Sequence, residues 1–576
     1  MNNNIDDNII KEYKLWLKKS SADPEVTEEL KGMKDNNDKI EDAFYRNLAF
    51  GTGGLRGIIG AGTNRMNIHT VARASQGLAN YVKKFFPNVP LNIAVSYDSR
   101  IKSQLFAQTA SNVFAANGIK VYLYPWLMPT PCLSFAVRKL GCIAGVMITA
   151  SHNPSQYNGY KVYGADGCQI TTEAAALILE EINKLDMFDD IKTTSFESGI
   201  FSGCIEYISE TISAAFINEV KKQSVIGEDD NINRDIAIIY SPLNGTGLHP
   251  VLQVLNESGY SNIRVVEEQR QPDGTFPTCP YPNPEVEEAM ALGIEYAKRH
   301  KADLFLATDP DCDRVGIAVR NKTGAYTLLS ANETGILLLD YICSRRIAMG
   351  TMPKNPIFMK TIVTTGMAEQ IASHYGVQTV NVLTGFKFIG EKIGELESKG
   401  LANSFIFGFE ESYGYLSGTY VRDKDGVGAT FLICEMFSYY ANKGITLLDK
   451  LEELYCTYGY CLDTLHCYNF EGAAGFMHMQ EIMKKLREEA GSSLGELGGK
   501  KIIGCLDYKE GLEGLPKSDV IKFVLEDHCS IVIRPSGTEP KMKVYISVSG
   551  ENRKMAERVE REIGQWVEES MEILIN

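Results

Sequence analysis

Three stretches of this chain repeat one order of elements, and that order dictates an α/β architecture. Residues 92–96 (NIAVS) form a short apolar run, 104–116 carry a helical pattern, and 121–124 form a second apolar run leading into PTP. The order recurs at 235–240 (DIAIIY), 248–257 and 262–266, ending in PDG, and again at 357–363, 367–375 and 379–383, ending in Thr384-Gly385. Short β-rich runs separated by helices of about ten to fifteen residues are βαβ units, which build mixed, mostly parallel sheets. The fold class is therefore expected to be α/β, with three related mixed α/β domains.

The C-terminal part breaks the pattern. Runs at 521–525, 530–533 and 543–549 read as strands flanked by helices at 477–489 and 553–568, which predicts a smaller α+β domain. At roughly 150 residues per domain, a chain of 576 residues suits about four. The expected domains are 1–212, 213–324, 325–455 and 456–576. The first begins with a polar helical lead-in whose Ile9, Ile10, Tyr13, Leu15 and Trp16 offer an apolar face.

A formal net charge of -15 repels nucleic acid and anionic membranes, so neither is an expected partner. Any anionic ligand must meet local clusters of Arg and Lys. The thirteen cysteines are odd in number and lack a CxxC pair, which reads as reduced thiols of a cytoplasmic protein without disulfides or zinc. The N-terminus lacks the basic and apolar regions of a signal peptide, and apolar runs such as 141–150 fall short of the ~18 residues of a membrane span.

Five motifs could carry chemistry. In Thr149-Ala150-Ser151-His152-Asn153-Pro154, after the strand-like run 142–148, a serine at a strand end is expected to present its hydroxyl to solvent. His152 and Lys161 could position a phosphate there or relay a proton. The competing reading is a polar turn with an incidental serine. In Thr308-Asp309-Pro310-Asp311-Cys312-Asp313-Arg314, three alternate carboxylates converge only around a cation, and hard oxygen ligands without sulfur or imidazole suit Mg²⁺. A solvated acidic turn, or a phosphatase whose nucleophile is Asp309 or Asp311, stays open. Gly408-Phe409-Glu410-Glu411-Ser412-Tyr413-Gly414 can accept hydrogen bonds from vicinal sugar hydroxyls, with Arg422 and Lys424 supplying cations nearby. Arg534-Pro535-Ser536-Gly537-Thr538 has the guanidinium, hydroxyls and glycine-exposed amides of a phosphate cradle. Gly51-Thr52-Gly53-Gly54-Leu55-Arg56-Gly57 is not a dinucleotide fingerprint, since Arg56 takes the third glycine position and no preceding strand is evident. No Walker sequence occurs.

Together, TGGLRG, TASHNP, DPDCDR, GFEES and RPSGTEP, in that order from residue 52 to 540, resemble the α-D-phosphohexomutase superfamily. The resemblance implies three related α/β domains plus a smaller C-terminal domain around a central active-site cleft. TGFKFIG, RDKDG and the lead-in make the chain similar to the glucose-phosphate mutases of the branch that also contains pentose-phosphate mutases. It implies Ser151 as a phosphoserine, and Asp309, Asp311 and Asp313 as Mg²⁺ ligands together with an oxygen of that phosphoserine. Glu410 and Ser412 are implied as readers of sugar hydroxyls, with Thr384 and Gly385 beside them. Arg534, Ser536, Gly537 and Thr538 are implied to hold the non-reacting phosphate, assisted by Lys543. Arg56, His152, Lys161, Arg314, Lys387 and Lys424 match further active-site positions. Two departures stand out: TGGLRG replaces the commoner TSGLRG, and FEESYGY differs from the GEMSGH of dual mannose/glucose enzymes.

The expected function is interconversion of glucose 1-phosphate and glucose 6-phosphate through glucose 1,6-bisphosphate, which serves as intermediate and activator. The expected partners are small sugar phosphates, and the expected state is a monomer or weak homo-oligomer. Pentose- or mannose-phosphate mutation, an aspartyl-phosphate phosphatase and a non-catalytic sugar-phosphate binder are the rival readings.

Overall fold

The computed structural model describes residues 6–575 other than 52, 228–229, 231, 471, 493–494, 513 and 536–540. Its strands form four sheets. The first has seven, in the order Phe50–Gly51, Gly54–Ile58, Tyr157–Gly164, Ala144–Ile148, Asn92–Tyr97, Lys120–Leu123 and Ile205–Tyr207. The second runs Tyr326–Leu329, Val315–Arg320, Leu304–Thr308, Ile238–Ser241, Ile263–Val265. The third runs Gln378–Val382, Ile357–Thr361, Phe405–Glu410, Gly414–Leu416.

All three sheets share one kernel. The first strand of each repeat pairs in parallel with the strand that follows its helix. On its other side it pairs in parallel with a third strand, Ala144–Ile148, Leu304–Thr308 or Phe405–Glu410. Each third strand then turns into an antiparallel partner. These central strands are buried at every position, as strands covered on both faces must be. The loops after them are TASHNP, DPDCDR and EES, so the same hairpin position carries chemistry in each domain.

The fourth sheet is antiparallel, in the order Tyr460–Asn469, Lys541–Gly550, Ser530–Pro535, Ile521–Leu525, Lys500–Asp507, Glu496–Leu497. Helices Gly472–Ser492 and Arg553–Ile575 accompany it in an α+β arrangement. Its apolar core is separate from those of the α/β domains, but Ile362, Val363 and Leu383 of the third domain share a smaller cluster with its Tyr508, Val520, Val532 and Tyr545. The lead-in is three helices, Asp7–Lys19, Pro24–Gly32 and Asn37–Phe44, gathered around a fully buried Trp16.

Two details depart from the sequence reading. Strand Tyr326–Leu329 extends the second sheet past the expected boundary at 324, because the polar 321–325 segment is a hairpin turn closed by Asn321. Gly54–Ile58 is itself a strand, paired with Tyr157–Gly164. Its glycines hid it: Gly54 has φ +146°, and a Cβ there would stand 1.8 Å from the Tyr160 carbonyl oxygen. Among the described residues no helix is long and apolar enough to cross a membrane.

Candidate active site

Strand Ala144–Ile148 delivers Ser151 in a left-handed backbone conformation, φ 51°, which is uncommon for a residue with a Cβ. The hydroxyl is not presented to solvent, as the sequence reading had it, because the 309–313 loop of the second domain covers it. Ser151 is 3% exposed, and its Oγ donates to Asp309 Oδ2 at 2.8 Å and lies 3.3 Å from His152 Nδ1. Burial, then the nearby Arg314 and Arg56 charges, pushes the His152 pKa well below its ordinary value, so the ring is neutral.

What holds this loop is a residue the sequence reading missed. Arg100, after strand Asn92–Tyr97, is buried and donates to the carbonyls of Ser151, Asn153, Pro154 (2.9 Å) and Tyr157 (3.0 Å). Its charge is met by buried Asp98 at 3.4 Å, and its guanidinium lies 5.1 Å from the Phe276 ring centroid in the second domain. The signal was an Asp-Ser-Arg tripeptide directly after a buried strand. Arg100→Lys keeps the charge but loses the fork. It is expected to lower kcat by about 100-fold through misplacement of Ser151, with KM nearly unchanged. Steady-state kinetics alongside thermal melting would check this.

The carboxylate oxygens of Asp309, Asp311 and Asp313 lie within 4.8 Å of one another, and all three residues are buried. Asp309 Oδ1 accepts the backbone N–H groups of Asp313 and Arg314, both at 3.1 Å. Asp311 Oδ2 accepts from Lys161 at 2.8 Å and from Thr130 Oγ1 at 2.9 Å, and Asp313 pairs with Lys424 at 3.1 Å. Thr130, inside the PTP segment, is another contributor that the sequence reading passed over. Burial raises the Asp309 pKa well above the usual carboxylate range, and its two acidic neighbours add to this. Burial also pushes Asp311 upward, but the Lys161 charge and hydrogen bond overcome it and hold Asp311 below its ordinary value. Asp311 Oδ1 and Asp313 Oδ1 are buried without a hydrogen bond. An all-oxygen cluster with two such atoms fits a hard divalent cation, and among the described residues it is the one group that could hold a metal.

A cleft of about 1540 Å³ opens beside this cluster, with walls from all four domains. Arg56 and His152 come from the first and Arg314 from the second. The third gives Thr384, Gly385, Lys387, Glu410, Ser412 and Lys424. Arg534 and Lys543 come from the C-terminal domain, where they are register partners on adjacent strands. Arg56 reaches Asn153 at 3.0 Å, and Arg314 pairs with Glu285 at 3.3 Å, a cleft residue the sequence reading did not single out. Burial raises the Glu410 pKa to about 7 against the pull of Lys424. Arg534 donates to the Tyr545 hydroxyl at 3.3 Å. Ser536, Gly537 and Thr538 lie outside the described residues.

One expected residue is elsewhere. Arg422 is fully buried and pairs with Glu397, which Arg138 also engages, while donating to the Thr419 and Val421 carbonyls. It is absent from the cleft wall because its guanidinium turns into the third domain, where Glu397 takes its charge and carries the link to Arg138 of the first, whereas Lys424, two residues on, faces the carboxylates.

Comparison with known proteins agrees with this architecture. Models for Phosphoglucomutase/phosphomannomutase alpha/beta/alpha domains I, II and III match residues 47–188, 214–324 and 330–458. The chain is 35% identical over 542 residues to a phosphoglucomutase of Staphylococcus haemolyticus, covering 92% of this chain and 94% of that one. A phosphoglucomutase of Staphylococcus aureus strain USA300 is 37% identical over 528 residues, covering 89% and 91%. In fold, the chain superposes with a TM-score of 0.68 on pp63/parafusin, a phosphoglucomutase from Paramecium in its open form, at 19% identity over 92% of this chain and 95% of that one. A phosphoglucomutase/phosphomannomutase family protein from Burkholderia thailandensis gives 0.67 at 16% identity over 91% and 97%.

Proposed function

From the premise that this chain belongs to the phosphoglucomutase/phosphomannomutase family, we infer that it is a phosphoglucomutase that interconverts α-D-glucose 1-phosphate and glucose 6-phosphate through a phosphoserine at Ser151. The observation that carries this reading is the placement of the Ser151 hydroxyl against a buried carboxylate cluster, beside a cleft with Arg534 and Lys543 in its C-terminal wall.

Phosphoryl transfer asks the protein for a positioned donor and neutralised charge more than for covalent chemistry. In the reaction, the phosphorus–oxygen bond to Ser151 breaks as a bond forms to the free hydroxyl of a hexose monophosphate, giving glucose 1,6-bisphosphate. The bisphosphate turns end for end and returns its other phosphoryl group to Ser151. A cleft of about 1540 Å³ exceeds the ~300–1,000 Å³ of a usual small-ligand pocket, which favours that turn without release. Neutral His152, whose Nδ1 lies 3.3 Å from Ser151 Oγ, can accept the hydroxyl proton and return it to the serine oxygen as the phosphorus–oxygen bond breaks, and the Lys161 ammonium balances negative charge nearby. Asp309, Asp311 and Asp313 would hold Mg²⁺, which supplies charge withdrawal from the transferring group. Glu410 and Ser412 read sugar hydroxyls, and Arg534 and Lys543 take the non-reacting phosphate. The unpaired thiols suit the cytoplasmic location where such substrates occur.

A coupled assay comparing the 1-phosphates of glucose, mannose, ribose and deoxyribose tests the assignment. Glucose 1-phosphate is expected to give the highest kcat/KM, and a higher value for a pentose or mannose phosphate would overturn it. Arg534 offers a second test, since charge-assisted hydrogen bonds are each worth about 1.5–3 kcal/mol. Arg534→Ala is expected to lower kcat/KM by about 10- to 100-fold, raising KM and also lowering kcat because the reacting end is then poorly placed. Arg534→Lys should recover part of the loss. Wild-type constants in the alanine variant would remove the C-terminal domain from the site.

A further inference from the structure

A second cavity, of about 690 Å³, lies where the first and third domains meet the helix that links the first to the second, at the opposite ends of elements that reach the cleft. Helix Thr130–Lys139 begins with Thr130 on Asp311 and ends with Arg138 and Lys139 in this cavity. Helix Ala331–Ala348 begins with Ala331 in the cleft wall and its last turn places Arg346 here. Strand Phe405–Glu410 runs the same way, from Phe405 in the cavity to Glu410 in the cleft.

The charges of the cavity do not balance. Arg138 pairs with Glu397 at 2.8 Å, a carboxylate it shares with Arg422, and Glu219 is neutralised by Lys222 at 2.8 Å. Arg345 is satisfied by Asp230, the Val225 carbonyl and the Tyr439 hydroxyl. The side chain of its neighbour Arg346 makes no hydrogen bond or ion pair among the described residues, although its Nε is buried. Lys139, exposed at the rim, forms no ion pair among them either. A half-buried guanidinium without a counter-ion is costly unless a ligand supplies one. Two unneutralised cations lining one cavity with the Gln223 amide suit a single phosphate dianion.

We propose that this cavity is a second anion site, which takes the phosphate of a small phosphate monoester through Arg346 and Lys139, and whose occupancy alters turnover in the cleft. Nothing in it depends on which sugar the cleft isomerises. Isothermal titration calorimetry with glycerol 3-phosphate, and in parallel with orthophosphate, should show two sites on the wild-type protein. Lys139→Gln/Arg346→Gln should weaken one of them ten-fold or more, with melting temperature and basal mutase activity unchanged. Arg534→Ala should weaken the other. Two undiminished sites in the double variant would overturn the proposal, and tighter binding of orthophosphate than of glycerol 3-phosphate at the cavity would overturn the monoester assignment. Glycerol 3-phosphate should change the kcat of the wild type and not that of the double variant. An equal response in both would remove the link to turnover.

Discussion

Ser151→Ala is expected to abolish mutase turnover and leave the protein folded. Alanine keeps the Cβ, so the left-handed backbone at φ 51° costs no more than before. The hydroxyl's hydrogen bond to Asp309 is lost, a change of about 1 kcal/mol. Asp309 keeps the two backbone N–H groups that orient it, and Arg100 still grips the loop through carbonyls the substitution does not touch. Intact-protein mass spectrometry should find one phosphoryl group on the active wild type and none on the variant. A phosphoryl group on Asp309 instead would favour the aspartyl-phosphate reading, and near wild-type turnover in the variant would refute the phosphoserine relay outright.

The three chemistry loops were legible because each follows an apolar run and carries residues with little other reason to stand together. Asp309, Asp311 and Asp313 are the clearest case, since three close carboxylates repel unless something cationic joins them. Lys161 and Lys424 now stand against them. Sequence could not show that the three loops occupy one hairpin position in three sheets. That equivalence rests on strand order, which depends on contacts far apart in the chain. Arg100 was hidden for a related reason, because its role lies in four carbonyls more than fifty residues away. Arg422 was misplaced because a cation near an active-site motif looks alike whether it faces substrate or a buried partner such as Glu397. The Ser151 hydroxyl was read as solvent-facing because its cover comes from another domain. Composition was informative mainly by exclusion, as an acidic chain with clustered cations leaves small anions as ligands.

Asp311→Asn is expected to separate binding from chemistry. Its Oδ2 accepts from Lys161 and Thr130, and an amide oxygen can still accept both, so the local fold should persist. Its Oδ1 has no hydrogen bond, and that is the atom a cation would claim. Removing the negative charge should weaken Mg²⁺ binding, and Lys161 retains Asp313 at 3.7 Å. Turnover should fall by about 100-fold or more, the scale seen when one preorganised electrostatic contact to a transition state is lost. Glucose 1-phosphate binding should change far less, because Arg534, Lys543 and Glu410 are untouched and the metal acts mainly on charge that develops during transfer. Thermal melting gives a readout free of activity: a bound ion at 100 times its Kd stabilises the wild type by about 2.7 kcal/mol. That Mg²⁺-dependent rise in Tm should be lost in the variant, while the metal-free variant should melt somewhat lower than the metal-free wild type, because the Lys161 and Lys424 charges that hold the Asp311 pKa down stabilise its ionised form. An unchanged Mg²⁺ dependence of both rate and Tm would show that the 309–313 loop does not hold the metal, and the carboxylate cluster would then need another source of compensating charge.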